Sequence, residues 1–307
     1  MQDLGKAQQA LSFVNPDDRD VWVRMGMALK AEFGEEAYSI WEDWSRSSES
    51  FKPSSAKSAW RSIGYGSVTI ASLFHAALKE GWRDAGMVKR DPEETRRRMA
   101  AHKQKMVAEE RKKALRHEQA AQKAGQMLSE AGLIKGHPYL RSKQFPDQVA
   151  FVRGDLLLVP MRNIDNELVG AQVIGATEDG WEKKFITGTK AKEAFYTIGD
   201  RRTLTSVLCE GYATGLSVLA GCAMFSLDVK VLVCFSAGNI AAVSKLIKGK
   251  KGVYADNDVS KAGEGSAKKA GLPYVMSNTV GFDANDDLRE YGVIHVAKKC
   301  RQLIQSM

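Results

Sequence analysis

From residue 204 onward the chain repeats one pattern: a short apolar, β-branched run, then a stretch with helical spacing. Strands are predicted near 205–210, 230–235, 251–256 and 273–276. Helices are predicted near 212–222, 238–248, 264–271 and 286–305, the last interrupted at Gly292. Apolar strands joined by short βα loops imply a parallel sheet covered on both faces.

The pattern upstream is different. Phe151 to Met161 has strand composition with a Gly-Asp turn inside it, and Leu168–Ile174 and Lys183–Thr187 read as further strands. Asn163 to Glu167 reads as a turn, so this stretch is an antiparallel, basic-edged α+β segment. Residues 91–131 are rich in Ala, Glu, Lys, Arg and Gln, all strong helix formers. A helix of about forty residues there would span roughly 60 Å and separate two domains. Its basic clusters, Arg96–Arg98 and Arg111–Lys113, read as a solvated face before a phosphate-binding one. The first 88 residues read as a small helical module. Asn15-Pro-Asp-Asp is a helix start, Gly34 a stop, and helices follow near 35–45, 57–63 and 68–80. Trp22, Trp41, Trp44, Trp60 and Trp82 are either core anchors or base-stacking platforms, the former being the simpler reading.

Composition narrows the class. The 307 residues allow about two domains, and 44% hydrophobic content is that of a globular chain. The net charge of +8 favours an anionic partner, nucleic acid before membrane. Cys209, Cys222, Cys234 and Cys300 form no C-x-x-C pair or zinc spacing, so buried free thiols and no zinc are expected. No apolar run approaches membrane-spanning length and no leader pattern opens the chain, which reads as soluble and cytoplasmic.

The chemistry concentrates on three acids. Glu210 ends the first strand of the repeat, and Asp256 and Asp258 end the third. Carboxyl ends of parallel strands line the ligand crevice of such sheets. Carboxylates gathered there repel one another unless a cation neutralises them, and hard oxygen donors suit Mg²⁺ or Mn²⁺. Metal-dependent phosphate chemistry is the expectation. Ser236-Ala-Gly-Asn239 lies at a strand-to-helix turn, which is either a phosphate cradle or a structural turn.

Cys209-Glu-Gly-Tyr-Ala-Thr-Gly-Leu-Ser217, Ser236-Ala-Gly-Asn239, Ala255-Asp-Asn-Asp258 and Phe282-Asp-Ala-Asn-Asp286 resemble, in order, the successive motifs of the Toprim domain. The nearest group is the primases of phages, plasmids and other mobile elements. His137 to Lys143, Leu158 to Asn163 and Lys184 to Gly188 are similar to the basic subdomain preceding Toprim in those primases. Residues 15–82 resemble the small helical module found beside primase domains. The resemblance implies an α/β chain in four parts: a helical primase-associated module (1–88), a charged helical linker (89–132), a basic α+β subdomain (133–203) and a Rossmann-like Toprim catalytic domain (204–307). The chain departs from many such primases in lacking a zinc module, and it has no Walker A loop for a fused helicase.

Under that resemblance Glu210, Asp256 and Asp258 are catalytic and hold the metal, with Asp286 or Asp283 as added ligands. Glu210 is either a ligand or a general base. Ser236, Gly238, Asn239 and Lys261 would meet phosphates, Lys261 from a flexible loop. Arg153, Arg162, Lys183, Lys184, Lys190 and Lys192 would neutralise template and triphosphate. The implied function is synthesis of short RNA primers from NTPs on single-stranded DNA in a bacterial host cell, with a replicative helicase as a possible partner. The alternatives are a Toprim nuclease and a non-catalytic replication adaptor.

Overall fold

The computed structural model describes residues 4–64, 68–83, 92–259 and 261–307, excluding the side chains of 92–99 and of residue 102. The expected boundary at residues 88 and 89, and the side chains of Arg96–Arg98, lie outside what is described. Contacts divide the chain into two compact units, Met1–Lys112 and Lys113–Met307.

The first unit is helical: α1 (Leu4–Leu11), α2 (Arg19–Phe33), a 3₁₀ turn (Gly34–Ala37), α3 (Tyr38–Ser45), α4 (Pro53–Ser62) and α5 (Ile70–Lys79). The α2 start differs from the sequence expectation. Asp18, not Asn15, is its N-cap, accepting from the Asp20 and Val21 backbone N–H groups. Asn15 instead turns the chain one step earlier by accepting from the Asp17 N–H. Gly34 does end α2, at φ +70°, a conformation few side chains adopt.

The tryptophans form the core of this unit. Trp41 is fully buried, and its ring lies 4.5 Å from Trp22 and 5.3 Å from Trp60, centroid to centroid. Four of the five indole N–H groups of this unit find an acceptor. Trp22 donates to Ser45 Oγ, Trp41 to the Trp22 carbonyl, Trp44 to the Val14 carbonyl and Trp60 to Glu35. Buried indoles need such partners, and rings so engaged are core anchors.

The charged stretch is one helix, α6 (Pro92–Ser129), 38 residues and about 57 Å long at 1.5 Å per residue. From residue 113 on, it belongs to the second unit. There Ala120 and Ala124 pack on Ala171 and Ile186, and His117 Nδ1 lies 2.7 Å from the Gly188 carbonyl. The sheet beneath is antiparallel, in the order β1 (Gly132–Lys135), β2 (Val149–Arg153), β3 (Leu156–Arg162), β4 (Leu168–Thr177) and β5 (Gly180–Phe185). A short helix, α7 (Pro138–Ser142), joins β1 to β2. The Gly154-Asp155 turn between β2 and β3 falls where the sequence placed it.

The second sheet has the order β10 (Tyr274–Met276), β9 (Lys251–Ala255), β7 (Ser206–Cys209), β8 (Lys230–Val233) and β6 (Tyr196–Ile198). The first four strands are parallel, and β6 is an antiparallel edge that the sequence did not suggest. Helices α8 (Tyr212–Met224), α11 (Ala284–Tyr291) and α12 (Val293–Gln305) pack together on one face. Helices α9 (Ala237–Leu246) and α10 (Ala262–Ala270) pack together on the other. Gly292 breaks the last helical stretch at φ +81°. The four cysteines are all free and buried in this unit. No helix among the described residues is long and apolar enough to cross a membrane.

Candidate active site

The strand order fixes where a crevice must open. Neighbouring strands β7 and β9 are parallel, yet α8 leaves β7 towards one face and α10 leaves β9 towards the other. Chains that part in this way leave a gap at the carboxyl ends of the strands, the topological switch point. Glu210 follows β7 and Asp256 follows β9, so both acids lie at the gap.

Asp256 is the centre of the acidic group. Burial first, then the charges of Asp283, Glu210 and Asp258, push its pKa up to about 8, against the pull of Lys183. Burial, together with Asp258, also raises Glu210, while the Ala237 backbone N–H at the start of α9 donates to it and draws it down. Glu210 Oε1 and Asp256 Oδ1 are both buried without a hydrogen-bond partner. Orphaned carboxylate oxygens among like charges are costly, and a cation relieves both costs.

The path of α10 keeps Asp256 in place. A Cβ on Gly263 would come within 2.9 Å of the Asp256 carbonyl oxygen and 3.1 Å of its nitrogen. Only glycine lets the first turn of α10 sit this close. The segment read as a flexible loop, Lys261–Gly265, is therefore the start of a helix. Lys261 caps it in the left-handed conformation, and Asp258 Oδ1 accepts from the Ala262 N–H.

Asp283 and Asp286 form the next wall. Asp283 caps α11 by accepting from the Asn285 and Asp286 N–H groups, and Asp286 returns the bond to the Asp283 N–H. The other Asp283 oxygen accepts from Thr214 Oγ1, and Asp286 lies 3.8 Å from Arg289. These carboxylates are thus engaged in holding the helix start, yet the Asp283 charge is the largest that Asp256 feels. Among the described residues no three His, Cys, Asp or Glu side chains are gathered closely enough to hold a metal ion alone. Glu210 and Asp256 still fit Mg²⁺, which commonly takes one or two carboxylates and completes its shell with water and substrate phosphates.

The six basic residues do not act as one group. Lys183 faces the acids: burial and the Lys143 ammonium lower its pKa, while Asp283, Asp256 and Asp286 raise it. Strand alternation sends its neighbour Lys184 to the other face, where it pairs with Glu182 at 2.7 Å. Arg153 pairs with Glu130 at 2.6 Å, and Arg162 donates to the Asn166 carbonyl. Lys190 and Lys192 are exposed.

At the Ser236–Asn239 turn the residues divide as well. The Asn239 amide is taken up by structure, donating to the Ala194 and Cys234 carbonyls and accepting from the Glu193 N–H. Ser236 and Gly238 are exposed, with open space beside Gly238. Sequence reasoning missed Gly263, Thr214 and Tyr139. The Tyr139 hydroxyl is buried without a partner, and burial and Asp283 push its pKa up. Each lies in a stretch the sequence had marked: Gly263 is one of two glycines just after the acidic pair, Thr214 falls within Cys209–Ser217 and Tyr139 within His137–Lys143.

Residues 7–77 match the family Primase C terminal 2 (PriCT-2). Among solved structures the chain is similar to a DNA primase domain from Pseudomonas aeruginosa, at 16% identity and a TM-score of 0.31, covering 51% of each chain. It is also similar to the E. coli primase catalytic core, at 14% identity and a TM-score of 0.35, covering 62% of this chain and 74% of that one. The chain thus spans about half the length of the Pseudomonas structure. No curated protein matches it. The match over residues 7–77 supports a primase-type protein.

Proposed function

We propose that this chain is a Toprim-type DNA primase that joins NTPs into short RNA primers on single-stranded DNA, in the replication of a phage, plasmid or other mobile element. One observation carries the reading: two orphaned, mutually repelling carboxylates, Glu210 and Asp256, sit at the switch-point crevice with Lys183 facing them. The four-motif order in the sequence runs through the same crevice.

Glu210 and Asp256, with Asp258 beside them, would hold Mg²⁺ or Mn²⁺. Bound there, the ion supplies positive charge against the triphosphate and the departing pyrophosphate. Glu210 is the ligand rather than the base, because a cation nearby draws its pKa down and leaves it a poor proton acceptor. Asp256, its pKa pushed up to about 8, would have to ionise to hold such an ion, so loading the site would release protons to solvent near neutral pH. Lys183 meets phosphate oxygens from the opposite wall. Asp283 and Thr214 fix the start of α11 and thereby the field at Asp256.

The test is direct. Purified protein with NTPs, Mg²⁺ or Mn²⁺ and mixed-sequence single strands yields oligoribonucleotides, and Glu210→Gln and Asp256→Asn each abolish them while single-strand binding persists. Cleavage of DNA without NTPs would replace this reading with a nuclease. Absence of both products and of Mn²⁺-dependent NTP binding would leave an adaptor.

A further inference from the structure

Beside the acids lies an aromatic pair that the chemistry above does not use. Phe185 ends β5 on the same strand face as Lys183, two residues on, about 7 Å along the strand. It is 39% exposed, a large apolar side chain left in solvent. Its ring meets Phe235 edge to face, at 5.9 Å and 89°. The Phe235 backbone N–H in turn donates to the Glu210 carbonyl at 2.9 Å, directly behind the first acid.

Phe235 is held at φ +66°. A bulky residue with positive φ is an outlier, and outliers of this kind gather at binding sites. Glycine or asparagine would relieve the backbone, but neither would place a ring here. The turn therefore keeps an aromatic side chain against a conformational cost, next to the acids.

Resting on the nucleotide reading of this crevice, we infer that Phe185 and Phe235 form a stacking platform for a nucleobase whose phosphates lie towards Lys183 and the acids. Aromatic rings beside cationic groups bind single-stranded nucleic acid and nucleotides in this way, because every base offers a π-face. The base belongs either to the incoming nucleotide or to the template strand.

The experiment compares ligands with and without a base. Binding of an NTP with Mn²⁺ is measured against inorganic tripolyphosphate with Mn²⁺, and binding of a single-stranded oligonucleotide against its abasic counterpart. In Phe185→Leu and Phe235→Leu, affinity for the NTP or for the base-bearing strand falls about tenfold or more. Affinity for tripolyphosphate and for the abasic strand stays unchanged, and Phe185→Tyr restores binding. A loss confined to the NTP assigns the base to the incoming nucleotide, and a loss confined to the strand assigns it to the template. Equal losses with and without a base, or no loss, overturn the platform. A wild-type chain that binds neither base-bearing ligand overturns it together with the primase reading. Intact priming in Phe185→Leu with unchanged affinities removes the platform and leaves that reading standing.

Discussion

The helical unit and the parallel-sheet crevice treat buried polar groups in opposite ways. Around Trp41 each of four indole N–H groups finds an acceptor, and the Ser45 hydroxyl both accepts from Trp22 and donates to the Trp41 carbonyl. At the crevice Glu210, Asp256 and Tyr139 each leave a buried oxygen unpaired. Satisfied networks hold one packing in place, whereas unsatisfied ones store a demand that a ligand meets. The difference separates a part of the chain whose buried polar groups are satisfied internally from a part that leaves them unpaired.

Four experiments can break or sharpen that contrast. The largest effect is expected from Trp41→Ala, which empties the centre of the first unit. It should destabilise that unit by about 3–5 kcal/mol, read by denaturant titration of tryptophan fluorescence.

Asp256 comes next. Its folded pKa, about 8, lies above the ordinary 3.8. The folded state therefore holds the proton more tightly than the unfolded chain does. Its stabilising contribution is complete below pH 3.8 and is lost as pH rises to about 8. The slope is at most about 1.4 kcal/mol per pH unit. Asp256→Asn should flatten this dependence in metal-free protein and raise the melting temperature at pH 8, and Mn²⁺ should stabilise only the wild type. A wild-type profile as flat as the variant's would mean that the crevice carries no such strain.

Gly263→Ala changes no reacting group but forces the α10 backbone away from Asp256. Misplacement by about 1 Å commonly costs about a hundredfold in rate, so primer synthesis should fall by that order while the circular dichroism spectrum is kept. Ser45→Ala is the smallest. It leaves the Trp22 N–H without its acceptor and should cost about 1–2 kcal/mol. A neutral result would mean that water or another acceptor replaces the hydroxyl.

The parallel half was readable because its signals are local. Runs such as residues 207–209 and 252–255 carry no charged side chain and are buried throughout, and Gly292 marks its break plainly. The strand β6 escaped because it has three half-buried residues, and what makes it a strand is its partner β8, remote in sequence. The acids were legible as a group, but their unequal roles were not. The weight of Asp283 on Asp256 depends on how α11 is capped, and capping partners are set by the fold. Between Lys183 and Lys184 the choice is one of strand parity, and the alternation of Trp181, Lys183 and Phe185 with Glu182 and Lys184 contained it. Phe235 was hidden entirely, because a positive φ at phenylalanine leaves no trace in composition.

The cysteines and tryptophans have a practical consequence for anyone labelling this molecule. All four thiols lie in the second unit and are shielded, while five of the six tryptophans lie in the first. Alkylation kinetics therefore report the opening of one half and intrinsic emission the melting of the other. The chain comes with two orthogonal reporters already installed.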